Sequence, residues 1–295
     1  MPLAFLQAAD PIVHHPFQFG VGWLQFTGFG IAVGLSFIVA QMVSQEEMKR
    51  LGYDPAPIAD MVFGAIVGGL LGAKLYFVIV LGNWDALFTR GGFVFWGGLI
   101  GGAIGVLLVA RFKKVPIWRT LEVGAASIAA AYAVGRTGCW GVGDDYGRPW
   151  DGPLAVQFPE GAPPSTAGIM QREFGVDFPP GTDPNSVVAV HPTQLYEVTM
   201  SLVIFAILWR LRRHHHAEGW LFGWYCVFAG VQRFVVEFFR AKDDVLAIGL
   251  TIAQVIAIAA LALGIGILAA RRRPRPVVPS AVGAGFRGVA RGGGP

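Results

Sequence analysis

Four ionisable residues lie inside or beside apolar runs where burying a charge is costly. Arg136 closes an alanine-rich stretch, and QRFVVEFFR sets Arg233, Glu237 and Arg240 at spacings of four and three, which is one stripe of a helix. A charged side chain at hydrocarbon depth costs about 2.5–3.5 kcal/mol even on insertion scales, so it persists only where pairing or function retains it. If Glu237 pairs with one arginine, Arg136 and a second sixth-segment arginine remain unmatched. A guanidinium holds phosphate through a bidentate fork, so the expected chemistry is an anionic headgroup site.

A second constellation is HPTQLYE, residues 191–197. Pro192 suits the first turn of a helix, from which Gln194, Tyr196 and Glu197 project, while His191 stands outside it. Two readings of His191 remain open, a proton carrier near neutral pH or a hydrogen-bonded structural residue. Cys139 and Cys226 have no metal-ligand spacing and are expected to be free thiols. The HHH at 214–216 beside RLRR is expected to be solvated, and neither a metal nor a cofactor is expected.

The elements that must position these residues belong to a membrane. The 295-residue chain is 54% hydrophobic and only 14% charged, against about 25% charged in ordinary soluble domains. Its pI is near 9.3, but fifteen of the 23 Lys and Arg residues sit in four runs beside apolar segments: Lys49/Arg50, Arg111/Lys113/Lys114/Arg119, Arg210/Arg212/Arg213, and Arg271/Arg272/Arg273/Arg275 with Arg287 and Arg291. That distribution orients helices and meets anionic lipid, and it argues against nucleic acid as a partner. Residues 1–20 lack the basic start and apolar run of a cleavable signal peptide.

Seven segments near the roughly 20 residues needed to span a bilayer are expected at about 21–43, 58–81, 93–110, 117–133, 193–209, 220–239 and 245–270. Flipping sides at each span puts all four basic clusters on one face. The expectation is an all-α polytopic fold of seven transmembrane helices, with the N-terminus outside and the C-terminus inside. Residues 1–20 form an outer N-terminal segment, 21–137 the first four helices, and 138–192 a small extracytoplasmic head of Pro- and Gly-dense strings with one strand-like run, LAVQF. Residues 193–270 supply the last three helices, and 271–295 a disordered basic tail. Glycine pairs in 64–74 and 91–105 suit close helix packing or a lipid groove. Trp84, Trp118, Trp209, Trp220 and Trp224 near segment ends fit an interfacial belt.

GFVFWGGLIGG (92–102), GRTGCWGVGDDYGRP (135–149), HPTQLYE (191–197) and RFVVEFFR (233–240), in this order along nearly the whole chain, resemble the bacterial prolipoprotein diacylglyceryl transferases. The resemblance implies a multi-pass enzyme of the bacterial cytoplasmic (inner) membrane. It would move the diacylglyceryl group of phosphatidylglycerol to the lipobox cysteine thiol of a preprolipoprotein signal peptide, releasing glycerol phosphate, with membrane lipids as its surroundings. By the same resemblance the catalytic set is Arg136, Arg233, His191 and Glu237. Substrate binding falls to Arg136, Gly138, Asp144, Arg148, Gln194, Tyr196, Glu197 and Arg240. The chain departs from the family pattern at Cys139 and Val142, where asparagines are usual, at Trp96 in place of histidine, at Ala229 in place of tyrosine, and at Thr27 in place of an early tyrosine. With Trp96 unable to act as a base, the thiol proton must go to His191, Asp144, Asp145 or Glu237. The alternatives are a catalytically altered paralogue that binds phospholipid, and a transporter, which would need a polar stripe through several helices.

Overall fold

The computed structural model describes residues 11–21, 24–89, 92, 94–241, 246 and 249–272; most of the expected tail and the first half of the N-terminal segment lie outside them. Among these residues are eight α-helices: α1 (Gly28–Arg50), α2 (Ala56–Leu81), α3 (Phe95–Phe112), α4 (Ile117–Val142), α5 (Ala167–Phe174), α6 (Thr193–Leu211), α7 (Trp220–Glu237) and α8 (Ile252–Ala270). α1, α2, α3, α6 and α8 are long and apolar enough to cross a membrane, as a multi-pass membrane protein requires. α4 and α7 are equally long but carry Arg119, Glu122 and Arg136, and Arg233 and Glu237, respectively.

Several boundaries differ from the sequence expectation, among them the end of the first helix at Arg50 rather than near 43. The first helix begins at Gly28 rather than near Val21, because Thr27 caps it by accepting from the Gly30 amide at 3.1 Å. The residues before it form an antiparallel hairpin, β2 (Gln18–Val21) with β3 (Leu24–Thr27), which follows β1 (Ile12–Val13). The fourth helix runs to Val142 and stops at Gly143, whose φ of +67° is a left-handed cap; residues 138–142 therefore belong to the helix and not to the head. The last helix starts at Ile252, fixed by a reciprocal cap between Thr251 and Gln254.

α4 is the central helix. It packs against α1, α6 and α7 and buries eleven residues, many of them alanine. α2 and α3 pair through glycines: a Cβ at Gly72 would lie 2.8 Å from the Gly101 Cα, and one at Gly64 would lie 2.9 Å from the Gly105 carbonyl oxygen. Of the two readings of these glycines, the structure realises close packing. Gly28 against Gly141, and Gly138 against Ala32 and Phe29, do the same for α1 and α4.

The described members of all four basic clusters gather at one end of the bundle. Arg212 and Arg50 both reach Glu47, Arg119 lies between Glu218 and the Tyr53 ring, and Arg271 covers Trp118. At this end Glu122 accepts from the Gly219 and Leu221 amides at 2.7 and 3.1 Å, so a carboxylate from α4 caps the start of α7. His216 meets the same carboxylate at 2.5 Å with its side chain only 8% exposed. The histidine tract is thus not uniformly solvated: His214 and His215 are exposed, whereas His216 is drawn in by Glu122. The head occupies the opposite end. There β4 (Val156–Gln157), within the expected LAVQF run, pairs in parallel with β1 around a core of Tyr146, Val156, Phe158, Met170 and Val190.

Candidate active site

Where α4, α6 and α7 meet the head, three arginines and three carboxylates close into a ring of alternating charge. Arg136 Nη1 lies 2.7 Å from Asp145 Oδ2, and its Nη2 is paired with Glu197. Glu197 Oε1 is 3.5 Å from Arg233 Nη1, and Arg233 Nη2 is 2.7 Å from Glu237 Oε2. Glu237 Oε2 is 4.0 Å from Arg240 Nε, and Arg240 returns to Asp145. Every arginine touches two carboxylates and every carboxylate two arginines. The expectation of unmatched arginines is therefore corrected: the sequence stripe supplies one acid, but Glu197 and Asp145 arrive from distant segments and balance the ring.

Local structure explains each position. Arg136 is on the penultimate turns of α4 and buried, while Arg233 and Glu237 sit four residues apart at the end of α7. Glu197, 1% exposed, lies just after the Pro192 start of α6. Asp145 follows the Gly143 turn with φ of +59°, a left-handed conformation that aspartate tolerates better than most residues. The first turn of α6 fixes that turn from below: Thr193 Oγ1 donates to the Asp145 carbonyl at 2.7 Å and Gln194 Nε2 to the Asp144 carbonyl at 2.6 Å. Burial alone would raise the Asp145 carboxyl, but the Arg240 and Arg136 guanidiniums outweigh it and hold it well below the usual carboxylate range.

Two residues that the sequence reading passed over complete the site. Tyr132, four residues before Arg136, donates its hydroxyl to Glu197 Oε1 at 3.1 Å. Gln232 donates to the Glu197 carbonyl at 3.2 Å and is itself bonded to Ser201. The helical spacing of Tyr132 from Arg136 was the available signal; Gln232, next to Arg233, offered none. Cys139 is buried beside the ring, its Sγ 3.2 Å from Arg136 Nη1, and both cysteines are free thiols.

Other expected site residues lie around the ring without joining it. His191 stacks on Trp150 with ring centroids 4.4 Å apart, meets Phe239 edge-on, and shares a 3.2 Å hydrogen bond between Nδ1 and the Tyr196 hydroxyl. Burial lowers its pKa, which favours the neutral imidazole. The Asp144 carboxylate turns back on its own chain, accepting from the Asp145 amide, and burial raises its pKa. Arg148 is exposed and donates to the Arg240 carbonyl at 3.0 Å. Trp96 lies at the outer surface of the first turn of α3, edge-on to Phe95.

Chemically, the ring offers an anion concentrated donors at little electrostatic cost to the fold. Arg136 Nε and Arg240 Nε are buried with no hydrogen-bond acceptor among the described residues, and Arg233, at 29% side-chain exposure, is the most open of the three. Along α4 the row Gly124, Ile128, Tyr132, Arg136 recurs every four residues; Ile128 and Tyr132 are exposed although the helix is otherwise the most covered in the bundle. This apolar stripe ends at a guanidinium.

The phosphatidylglycerol–prolipoprotein diacylglyceryl transferase of Clostridium tetani is 31% identical over 257 residues, covering 85% of this chain and 95% of that protein. Those of a Nostoc species and of Corynebacterium diphtheriae are each 29% identical, covering 95% and 88% of this chain and 98% and 93% of theirs. The profile of the prolipoprotein diacylglyceryl transferase family matches residues 16–270. Since that match contains every member of the charge ring and all eight helices, the chain belongs to the prolipoprotein diacylglyceryl transferase family.

Proposed function

We propose that the protein transfers diacylglyceryl from phosphatidylglycerol to the lipobox cysteine of preprolipoproteins, as a multi-pass enzyme of the bacterial cytoplasmic membrane. The observation that carries this reading is the convergence of Arg136, Arg233 and Arg240 at the end of an exposed apolar stripe, with two buried guanidinium Nε–H groups that have no hydrogen-bond acceptor among the described residues. A phospholipid has the matching halves: an acyl chain to lie along Ile128 and a phosphate to accept from the arginines. All seven long helices span in this reading. The basic clusters face the cytoplasm, and the ring and the head, residues 143–192, lie on the outer side.

In the reaction the thiol loses its proton, sulfur attacks the glyceryl methylene carbon, and the carbon–oxygen bond to phosphate breaks, its electron pair leaving on glycerol phosphate. Arg136 and Arg233 hold the phosphate and stabilise the charge that grows on the departing oxygen. Asp145 is a poor base because two guanidiniums hold its carboxyl below the usual carboxylate range. His191 is neutral by burial and outside the ring, and it is the residue assigned the proton. Glu197 keeps the two phosphate-binding arginines together, while Gln194, Thr193 and Asp144 brace the turn behind them. The test is direct: purified protein is incubated with phosphatidylglycerol and a lipobox peptide, and the diacylglyceryl thioether is sought by mass spectrometry. Absence of the thioether overturns the assignment.

A further inference from the structure

Tyr132 contacts the ring and is exposed along the apolar stripe, at 36% exposure beside the buried Glu197. A phenol has a single proton to donate and lone pairs to accept with. Its proton is committed, because Glu197 Oε1 at 3.1 Å is a carboxylate oxygen and can only accept. Toward the stripe Tyr132 therefore offers an acceptor, whereas Arg136, whose guanidinium carbon lies 6.0 Å from the Tyr132 ring centroid, offers only donors. A ligand that satisfies both must carry an anionic acceptor and, a few bonds away, a neutral donor.

Resting on the function proposed above, we propose that Tyr132 determines headgroup specificity. Its phenol oxygen accepts a hydrogen bond from a hydroxyl of the headgroup glycerol while the phosphate lies on Arg136 and Arg233. Such a site discriminates against a phosphomonoester headgroup, which presents no alcohol, and against an ammonium headgroup, which the neighbouring guanidiniums repel. Sites built to bond a hydroxyl lose affinity for analogues without one, since the acceptor is left unpaired.

The experiment compares phosphatidylglycerol with phosphatidylpropanol, which has the same phosphodiester and no headgroup hydroxyl, as substrates for the wild-type protein and for Tyr132→Phe. The wild type should prefer phosphatidylglycerol in kcat/KM by roughly two- to tenfold, the range of one net hydrogen bond, and Tyr132→Phe should bring the ratio close to one. A loss shared by both substrates reports disturbance of Glu197; only the ratio reports the phenol oxygen. An unchanged ratio in Tyr132→Phe overturns the assignment. If that variant does not fold, glycerol phosphate and propyl phosphate are compared as inhibitors of the wild type, and equal potency overturns it. A wild type that makes no thioether from either lipid refutes the function itself, a distinguishable failure.

Discussion

Replacing Asp145 with asparagine should weaken the fold and strengthen anion binding together. Asparagine keeps the shape and is equally tolerant of the left-handed backbone at φ of +59°, so the change isolates the charge. The carboxylate accepts from Arg136 at 2.7 Å and from Arg240. Hydrogen bonds to charged groups contribute about 1.5–3 kcal/mol each, and a neutral amide oxygen still retains one ordinary bond of about 1 kcal/mol. Because the Asp145 side chain is 34% exposed, water screens part of this, and the expected loss is about 1.5–3 kcal/mol. The ring then holds three cations and two anions, so an incoming phosphate meets an additional net positive charge and KM for phosphatidylglycerol should fall. Thermal unfolding in lipid nanodiscs measures the first effect and thioether kinetics the second. The pH dependence has a fixed sign. A carboxyl whose folded pKa is depressed contributes stability that is complete above its unfolded value of about 3.9 and lost as pH falls toward the folded value. That acid-side loss should shrink in Asp145→Asn. A variant as stable as the wild type with a KM that is unchanged or higher would refute the ring as a balanced electrostatic unit.

Arg136→Ala strands Glu197 and Asp145 beside fewer partners and should abolish thioether formation, with an unfolding loss of about 3–5 kcal/mol for a broken buried pair; retained turnover would show that the phosphate sits elsewhere. Gly72→Ala places a methyl group against the Gly97 carbonyl and 2.8 Å from the Gly101 Cα, backbone that cannot rotate away, so the α2–α3 pair should lose about 1–3 kcal/mol by thermal unfolding. Glu122→Gln at the far end of α4 should cost about 1–3 kcal/mol by weakening the cap of α7 and the His216 contact while leaving KM for phosphatidylglycerol unaltered. His191, lowered by burial, contributes stability that is complete above about pH 6.5 and declines as pH falls below it; an acid titration of unfolding should show this decline in the wild type and not in His191→Phe.

The sequence by itself determined the apolar segments, their punctuation and the clustering of basic residues, because these follow from composition and local spacing. A long apolar run forms a helix in lipid whatever its neighbours are, and Pro116, Pro192 and Gly82 mark helix ends by their own backbone preferences, whereas the stop at Gly143 came nine residues later than expected. The Arg233–Glu237 pair was legible for the same reason, since a four-residue spacing is a property of one helix, whereas Arg240, expected on the same stripe, lies past the end of α7 in a bridge to Gly147. The tertiary structure alone decided how the charges balance. Glu197 and Tyr132 lie 65 residues apart, and Asp145 and Arg240 lie 95 apart, so no local pattern announces that they meet. Counting acids within one helix left arginines unmatched, whereas the packing of α4, α6 and α7 brought two further carboxylates to them. Likewise, nothing in HHH distinguishes His216 from its neighbours until Glu122 of a helix almost a hundred residues earlier is placed against it. Pairing across elements depends on which faces pack together, and that is settled by the sum of many contacts along the bundle.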